Sequence, residues 1–355
     1  MRRILLLPLL LLVALPASAQ ICKQPTVRAG TPEDKALLEI DNATDAAQKI
    51  ELLNKFLADF GQGGAALLAY ERFMAHYLAE KNYAKVFEYG DKTLALDPDN
   101  FSAAVNMMRA AHEKGDTAKA FDYGDRIGAI LQRFKNAPPP EGSDPTAWKE
   151  RKTFALEHAQ DEIGYVHSAL LTLANQAPDP AAKIPLLDRY IKAFPDSAYL
   201  GSAQVLMAAL MILQADNWSD KGEQLDKAES YAKSALDVLA QAQKPAQLSD
   251  EQWVQQKALQ QGLAQSVMGQ VHIHKGRNAQ AVDAFRAAAP LLKADPPTYA
   301  RNQYRLGFAL LNLKRNPEAR TAFTEAAAIN SPYRALAQQK LNELGGARRP
   351  AKKRS

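Results

Sequence analysis

The chain has 355 residues, a formal net charge of +5 and a single cysteine. One cysteine excludes an intrachain disulfide framework. Arg2 and Arg3 lie in an N-terminal leader and Arg348, Arg349, Lys352, Lys353 and Arg354 in a C-terminal tail, so the body between them is close to −2, which argues against a basic nucleic-acid groove along it.

The first element is the leader. Met1-Arg2-Arg3, the apolar run from Ile4 to Leu15 and then Pro16-Ala17-Ser18-Ala19 supply the charged, hydrophobic and small-residue parts of a secretory signal, residues 1–19, with cleavage expected after Ala19. The apolar run is about a dozen residues, short of the roughly 20 needed to span a bilayer, and no later segment is an uninterrupted apolar span. Residues 20–31 form an extension. Its Cys22 sits where lipid attachment follows a signal, but Ile21 stands where such signals need a small residue; the alternative is a free exposed thiol.

From Lys35 to Leu344 apolar residues recur at helical spacing and no run alternates as a strand does, so the fold class is all-α. Val86-Phe87-Glu88-Tyr89-Gly90-Asp91-Lys92 and Ala120-Phe121-Asp122-Tyr123-Gly124-Asp125-Arg126 are near copies 34 residues apart, the period of a helix-turn-helix repeat. The clearest unit runs from Leu67 to Asn100. Tyr70, Phe73 and Tyr77 share a face of its first helix, Asn82-Tyr83 makes the turn, and Val86 and Gly90 allow the second helix to approach the first. Asp97-Pro98-Asp99-Asn100 ends it. The next unit, from Phe101, repeats this with Met107, Ala111, a turn at Gly115-Asp116, then Ala120 and Gly124.

Asn136 to Asp144, with Pro138-Pro139-Pro140 and Gly142, reads as a loop between an N-terminal array (32–134) and a C-terminal one (150–345), the linker being 135–149. Beyond it, Ala182-Lys183-Ile184 through Phe194-Pro195-Asp196-Ser197 echoes Ala47-Gln48-Lys49-Ile50 through Phe60. The stretch from Ala203 to Leu213 is apolar on all sides except Gln204, which predicts a helix buried all round. Ala228, Ala232 and Ala235 mark a further second helix. A break from Gln243 to Asp250 contains Pro245 and ends on Ser249 as a helix cap. Two close units follow: Met268-Gly269, His272, Gly276, Ala281, Phe285 and Ala288, then Leu306-Gly307, Leu310, Asn316, Ala319, Phe323 and Ala326. Pro332 to Leu344 reads as a single closing helix, since an open end would leave apolar surface in water. The basic tail, 346–355, lacks large apolar residues and reads as disordered.

These units resemble the tetratricopeptide repeat (TPR), whose pattern pairs a large and a small residue in the first helix with alanines in the second. About six units are recognisable over most of the chain. The resemblance implies a right-handed superhelical solenoid of antiparallel helix pairs that binds other proteins or peptides, here as an exported bacterial protein. It also implies that Arg301, Tyr304, Arg305, Phe308 and Leu311 belong to a groove. The stripe of Arg301, Tyr304, Phe308 and Leu311 lies roughly 130° round the helix from the packing residues Leu306, Gly307 and Leu310. The alternative is that the closing helix or a neighbouring repeat covers it. Arg301 and Arg305 resemble half of a cationic clamp that some members use on a terminal carboxylate. Ser266, Val267 and Gln270 stand where the other half needs lysine and asparagine, so that function is not carried over.

Chemistry that would make an enzyme is not legible. His272 and His274 are two apart, about 200° round a helix, and His272 reads as a packed core residue. His76, His112, His158 and His167 are scattered, with no cysteine or paired carboxylate at ligand spacing. Gly61-Gln62-Gly63-Gly64 lacks the strand and the Gly-Lys-Ser/Thr ending of a phosphate loop and reads as a turn. The methionines beyond Met1 fall in first helices as gap-fillers. Asn42-Ala43-Thr44, Asn100-Phe101-Ser102 and Asn217-Trp218-Ser219 fit the glycosylation triplet, which matters only in a eukaryotic secretory pathway. The expectation is therefore a non-enzymatic scaffold of the periplasm or envelope, with no cofactor and no metal. The alternative is a binder of glycan, peptidoglycan or another envelope polymer through the groove and the tail, whose charge would contact anionic surfaces.

Overall fold

The structure, a computed structural model, describes residues 21, 25–62, 64–217, 220–242, 244 and 248–346. The leader 1–19, Cys22, Gly63, the triplet residues Trp218 and Ser219, Pro245 and the tail from 347 lie outside the described residues. All regular structure among the described residues is helical.

The chain divides into two compact units, 1–166 and 167–355. The first contains α1 (Pro32–Asn42), α2 (Ala46–Phe60), α3 (Ala65–Ala79), α4 (Tyr83–Leu96), α5 (Phe101–Glu113), α6 (Thr117–Asn136) and α7 (Pro145–His158); the division falls inside α8 (Gln160–Gln176). The proline-rich loop, 137–144, lies within the first unit. The second unit contains α9 (Pro180–Ala193), α10 (Leu200–Gln214), a short 3-10 turn (Ala215–Asn217), α11 (Lys221–Gln241), α12 (Asp250–His274), α13 (Asn278–Leu292), α14 (Pro296–Asn312), α15 (Asn316–Ala328) and α16 (Tyr333–Gly346). In both units helices pack mainly on their sequence neighbours, the arrangement of a helical solenoid. The closing helix continues two residues past Leu344.

Short polar side chains start these helices. Thr31, Asp45, Asn82, Asn100, Asp116, Asp144, Asp179, Ser249 and Asp295 each accept a hydrogen bond from a first-turn backbone N–H, and Ser249 forms a full capping box with Gln252. Proline follows at 145, 180 and 296, where its missing N–H costs nothing, so an Asp-Pro pair opens α7, α9 and α14. Only Asp97-Pro98 acts as the stop read from the sequence. Asn100 is fully buried, capping α5 and donating to Glu71 at 2.9 Å, so its glycosylation triplet is inaccessible in the folded chain.

The turns between paired helices are equally regular. Asn82, Asp116, Arg277 and Arg315 each donate a backbone bond of 2.8–2.9 Å to the carbonyl five residues earlier. The residue before each is left-handed: Lys81, Gly115, Gly276 and Lys314, with φ between 53° and 77°. Two of these positions are lysine, and the first of those turns was readable from Asn82-Tyr83 rather than from its left-handed residue.

Close helix approach makes the cores. A Cβ on Gly269 would sit 2.6 Å from the Phe285 ring, and one on Gly307 would sit 2.6 Å from Phe323. Both rings are fully buried. Gly90 differs from its expected role: a Cβ there would collide with Met107, so it admits the first helix of the next pair rather than its own partner. Met74, Met107, Met108, Met207 and Met211 are buried, as gap-filling requires. His272 is 8% exposed, and burial lowers its pKa.

Candidate partner-binding groove

Helix α14 carries all five residues singled out from the repeat phase, and the structure sorts them into two environments. Leu306 and Leu310 pack against α15 in a cluster that includes Phe323 and Ala326. Tyr304, Phe308 and Leu311 join the same cluster together with Leu341 and Leu344 of α16. The Tyr304 ring lies 5.1 Å from Phe308 and 5.4 Å from Tyr333, and Phe308 meets Phe323 edge-on at 5.9 Å. Lys340 of α16 places its ammonium 5.4 Å from the Phe308 ring. The aromatic stripe is thus the seat of the closing helix.

Arg301 and Arg305 point the other way, into a cavity of about 450 Å³ built by first helices of successive pairs. Its apolar wall is Val205, Leu206, Ala209 and Leu213 of α10 with Leu263 and Val267 of α12. Ser202, Gln260, Ser266, Gln270 and Tyr333 supply the polar lining. Leu213 is 64% exposed, so α10 is not buried all round: one face of its apolar stretch lines this groove, while Met207 and Met211 on another face are buried. The buried Gln204 donates its amide to Ser234 at 3.0 Å, while its Oε1 is buried without a hydrogen-bond partner.

The electrostatics of the groove are one-sided. Among the described residues none that lines it is acidic. Among the described residues neither Arg301 nor Arg305 has an ion-pair partner, and the Nε of Arg301 and the hydroxyl of Ser266 are buried without a hydrogen-bond partner. Burial, followed by repulsion from Arg301, pushes the Arg305 guanidinium down to about 10. It therefore stays charged at neutral pH in a site that disfavours the charge. Gln270 donates to the Ser266 carbonyl at 3.3 Å.

A larger cavity of about 620 Å³ lies between α9, α10 and α11, floored by Met207 and Met211. Its charges are already neutralised. Lys192 pairs with Asp188 at 2.6 Å, Tyr231 donates to Asp188 at 3.3 Å, and Lys227 pairs with Glu223 at 2.8 Å. Size alone therefore does not choose between the two; the uncompensated cations do.

One structural motif was absent from the sequence reading. Lys152 donates to the carbonyls of Lys135 and Ala137 at 2.8 and 3.0 Å, closing the C-terminal end of α6, and Trp148 donates to Ala137 at 3.2 Å. Lys257 donates in the same way to Ala240 and Ala242 at the end of α11. Trp148 and Trp253 lie one turn before these lysines, each about 6 Å from its ammonium. The signal was present in the sequence: Trp148, Lys152, Gly164, Val166 and His167 recur as Trp253, Lys257, Gly269, Val271 and His272, 105 residues on.

Among the described residues no helix is long and apolar enough to cross a membrane, and no group of three or more His, Cys, Asp or Glu is placed to hold a metal ion.

The chain matches no protein-family model and no curated protein sequence. It is similar in architecture to solved structures. BtubC from P. vanneervenii is 13% identical, with 81% of this chain and 96% of that chain covered and a TM-score of 0.37. The apo form of the quorum sensor NprR from B. thuringiensis is 14% identical over 90% of this chain and 82% of that one, TM-score 0.36. A human IFIT1 dimer with m7Gppp-AAAA is 13% identical over 88% and 84%, TM-score 0.37. Likeness of this degree assigns no ligand and no partner. The class is that of an all-helical repeat protein, established by the helices themselves.

Proposed function

We propose that this chain is an exported bacterial member of the TPR family, acting in the periplasm or at the envelope as a non-enzymatic scaffold. It holds other proteins by laying a segment of each in the groove formed by α10, α12 and α14. The observation that carries this reading is that groove: an open apolar wall facing two arginines that the chain itself leaves uncompensated. Apolar surface exposed in a cleft, beside a charge without its counterion, gains free energy only when something complementary arrives. Support for export comes from the leader pattern of residues 1–19.

The reading is tested by crosslinking in intact cells, comparing wild type with a Leu206→Asp/Leu213→Asp variant and fractionating both. A protein captured by wild type and lost from a folded variant is the expected result. Capture unchanged in the variant would remove the groove from the function. Retention on cell-wall material with no protein captured, abolished by deleting residues 347–355, would replace the scaffold by an envelope-polymer binder. Recovery of the chain in the cytoplasm, with residues 1–19 intact, would end the assignment to the envelope.

A further inference from the structure

The charges of the chain are divided between its two units. Residues 25–166 carry 23 Asp and Glu against 17 Lys and Arg, whereas residues 167–355 carry 16 against 24, five of the cations following Ala347. A molecule acidic in one unit and basic in the other attracts further copies of itself. We propose that this attraction has a defined seat: the segment Arg348 to Arg354 of one copy docks on the open face of α7 in a second copy. The contact uses no residue of the α10, α12 and α14 groove, so the two readings stand or fall separately.

Helix α7 is the least covered helix of the first unit. It fully buries Ala155 alone, where α4, α5 and α6 bury five to eight residues each. Trp148 and Lys152 turn one side of it to the end of α6. Phe154 lies about 120–160° round the helix from them. It is 51% exposed, with its ring set against that of His158 at 3.8 Å. Glu150 and Glu157 flank it, one turn before and one turn after, both about 40–60° to the same side. With Thr146, Lys149 and Thr153 these residues line one open hollow. Among the described residues neither glutamate has an ion-pair partner. Lys149 stands about 140° round from Phe154, at the border of the hollow. An exposed aromatic ring between two unpaired carboxylates is the complement of an apolar group between two cations.

The tail has that order. Arg348-Arg349, Pro350-Ala351 and Lys352-Lys353 place an apolar pair between two cationic ones. Glu150 and Glu157 are seven residues apart on a helix, about 10.5 Å. Three residues of extended chain, as from Arg349 to Lys352, cover about 10 Å, so both carboxylates are met with Pro350 over the Phe154 ring. Ala347 alone separates Arg348 from the end of α16, and α16 is held by α14 and α15. The tail therefore has no slack with which to leave the unit that carries it, and the α7 it meets belongs to another copy. Each copy offers one tail and one α7, a heterologous contact that joins copies in series. A contact of this size is weak, with a Kd on the order of 0.1 mM, and is screened by salt.

Sedimentation velocity of the full chain, at concentrations on either side of that value, tests the proposal. Wild type is expected to form a concentration-dependent series at low salt that dissociates in about 0.5 M salt. Deletion of residues 347–355 and Glu150→Lys/Glu157→Lys should each abolish the series with unchanged melting curves, and Phe154→Ala should weaken it about fivefold. An equimolar mixture of the deletion with the Glu150→Lys/Glu157→Lys variant should restore pairs and nothing larger, since only one tail and one α7 remain competent. A photoreactive benzoylphenylalanine replacing Phe154, in a mixture of isotopically light and heavy copies, should crosslink to residues 347–355 across the two labels. Wild type that stays monomeric throughout would overturn the proposal, as would association that survives the deletion. A mixture that fails to pair, or crosslinks confined to one chain or to residues outside 347–355, would also end it.

Discussion

Two faces of one helix carry the lesson of this molecule. On α14, Tyr304 and Phe308 lie one turn apart on an aromatic face, and Arg301 and Arg305 lie one turn apart on a cationic one. The aromatic face is half-covered by α16, with ring contacts to Tyr333 and Phe323 and the ammonium of Lys340 laid over Phe308. The cationic face is left open and uncompensated. The residues that look most adhesive in the sequence pack against the end of the stack, and the two arginines beside them line a groove.

The strongest way to break this comparison is from the core outward. Phe323 is fully buried against Gly307, and Phe323→Ala should cost about 3–5 kcal/mol of unfolding free energy, read from urea denaturation. Phe308→Ala should cost roughly 2 kcal/mol because α16 covers the ring; a change near zero would return that face to solvent and reverse the assignment. Arg305→Gln should act with the opposite sign. Removing a poorly solvated, unpaired charge is expected to raise the melting temperature of the free protein by a few degrees while weakening partner capture. A fall in melting temperature would mean that Arg305 supports the fold instead.

His272 sharpens the same contrast through pH. Burial lowers its pKa, and unlike Arg305 it escapes the cost by giving up its proton. Its native state is neutral, so its contribution is complete above the unfolded value of about 6.5 and is lost as pH falls below that, with a slope of at most about 1.4 kcal/mol per pH unit. Denaturation midpoints should therefore drop between pH 7 and 5, and His272→Leu should flatten that part of the profile. The smallest effect belongs to the open wall: Leu213→Ala, at a residue 64% exposed, should change stability by less than about 0.5 kcal/mol. A larger loss would show that the groove is filled in the free protein.

Much of the architecture was legible because each repeat writes its own punctuation. The 34-residue spacing of the Val86 and Ala120 segments, the cap at Ser249 and the turns at Asn82-Tyr83 and Gly115-Asp116 all correspond to observed helix boundaries. Lys314 hid a further turn of the same kind, and the one at Lys81 was legible only through Asn82-Tyr83, because a left-handed lysine carries no sign of its conformation. The groove was only half legible. Periodicity placed Arg301, Tyr304, Arg305, Phe308 and Leu311 correctly on α14, but the angle round a helix does not say which neighbour arrives to cover a face. The same gap explains α10. An apolar stretch reads as buried whether its last turn meets another helix or, as at Leu213, an open cleft. Gly90 was misread for a related reason, since a glycine marks a close approach without naming the helix that approaches.

The lysine clasps at Lys152 and Lys257 add a second, longer rhythm to the chain. Each ties off the end of one long helix, and in both the tryptophan lies 12 residues beyond the last residue of the helix it follows. With Gly164, Val166 and His167 answering Gly269, Val271 and His272, the match continues past the clasp into the helix beyond it. The clasp therefore returns after 105 residues, about three of the 34-residue periods, and a fastener of this kind is used once in several helix pairs rather than in each.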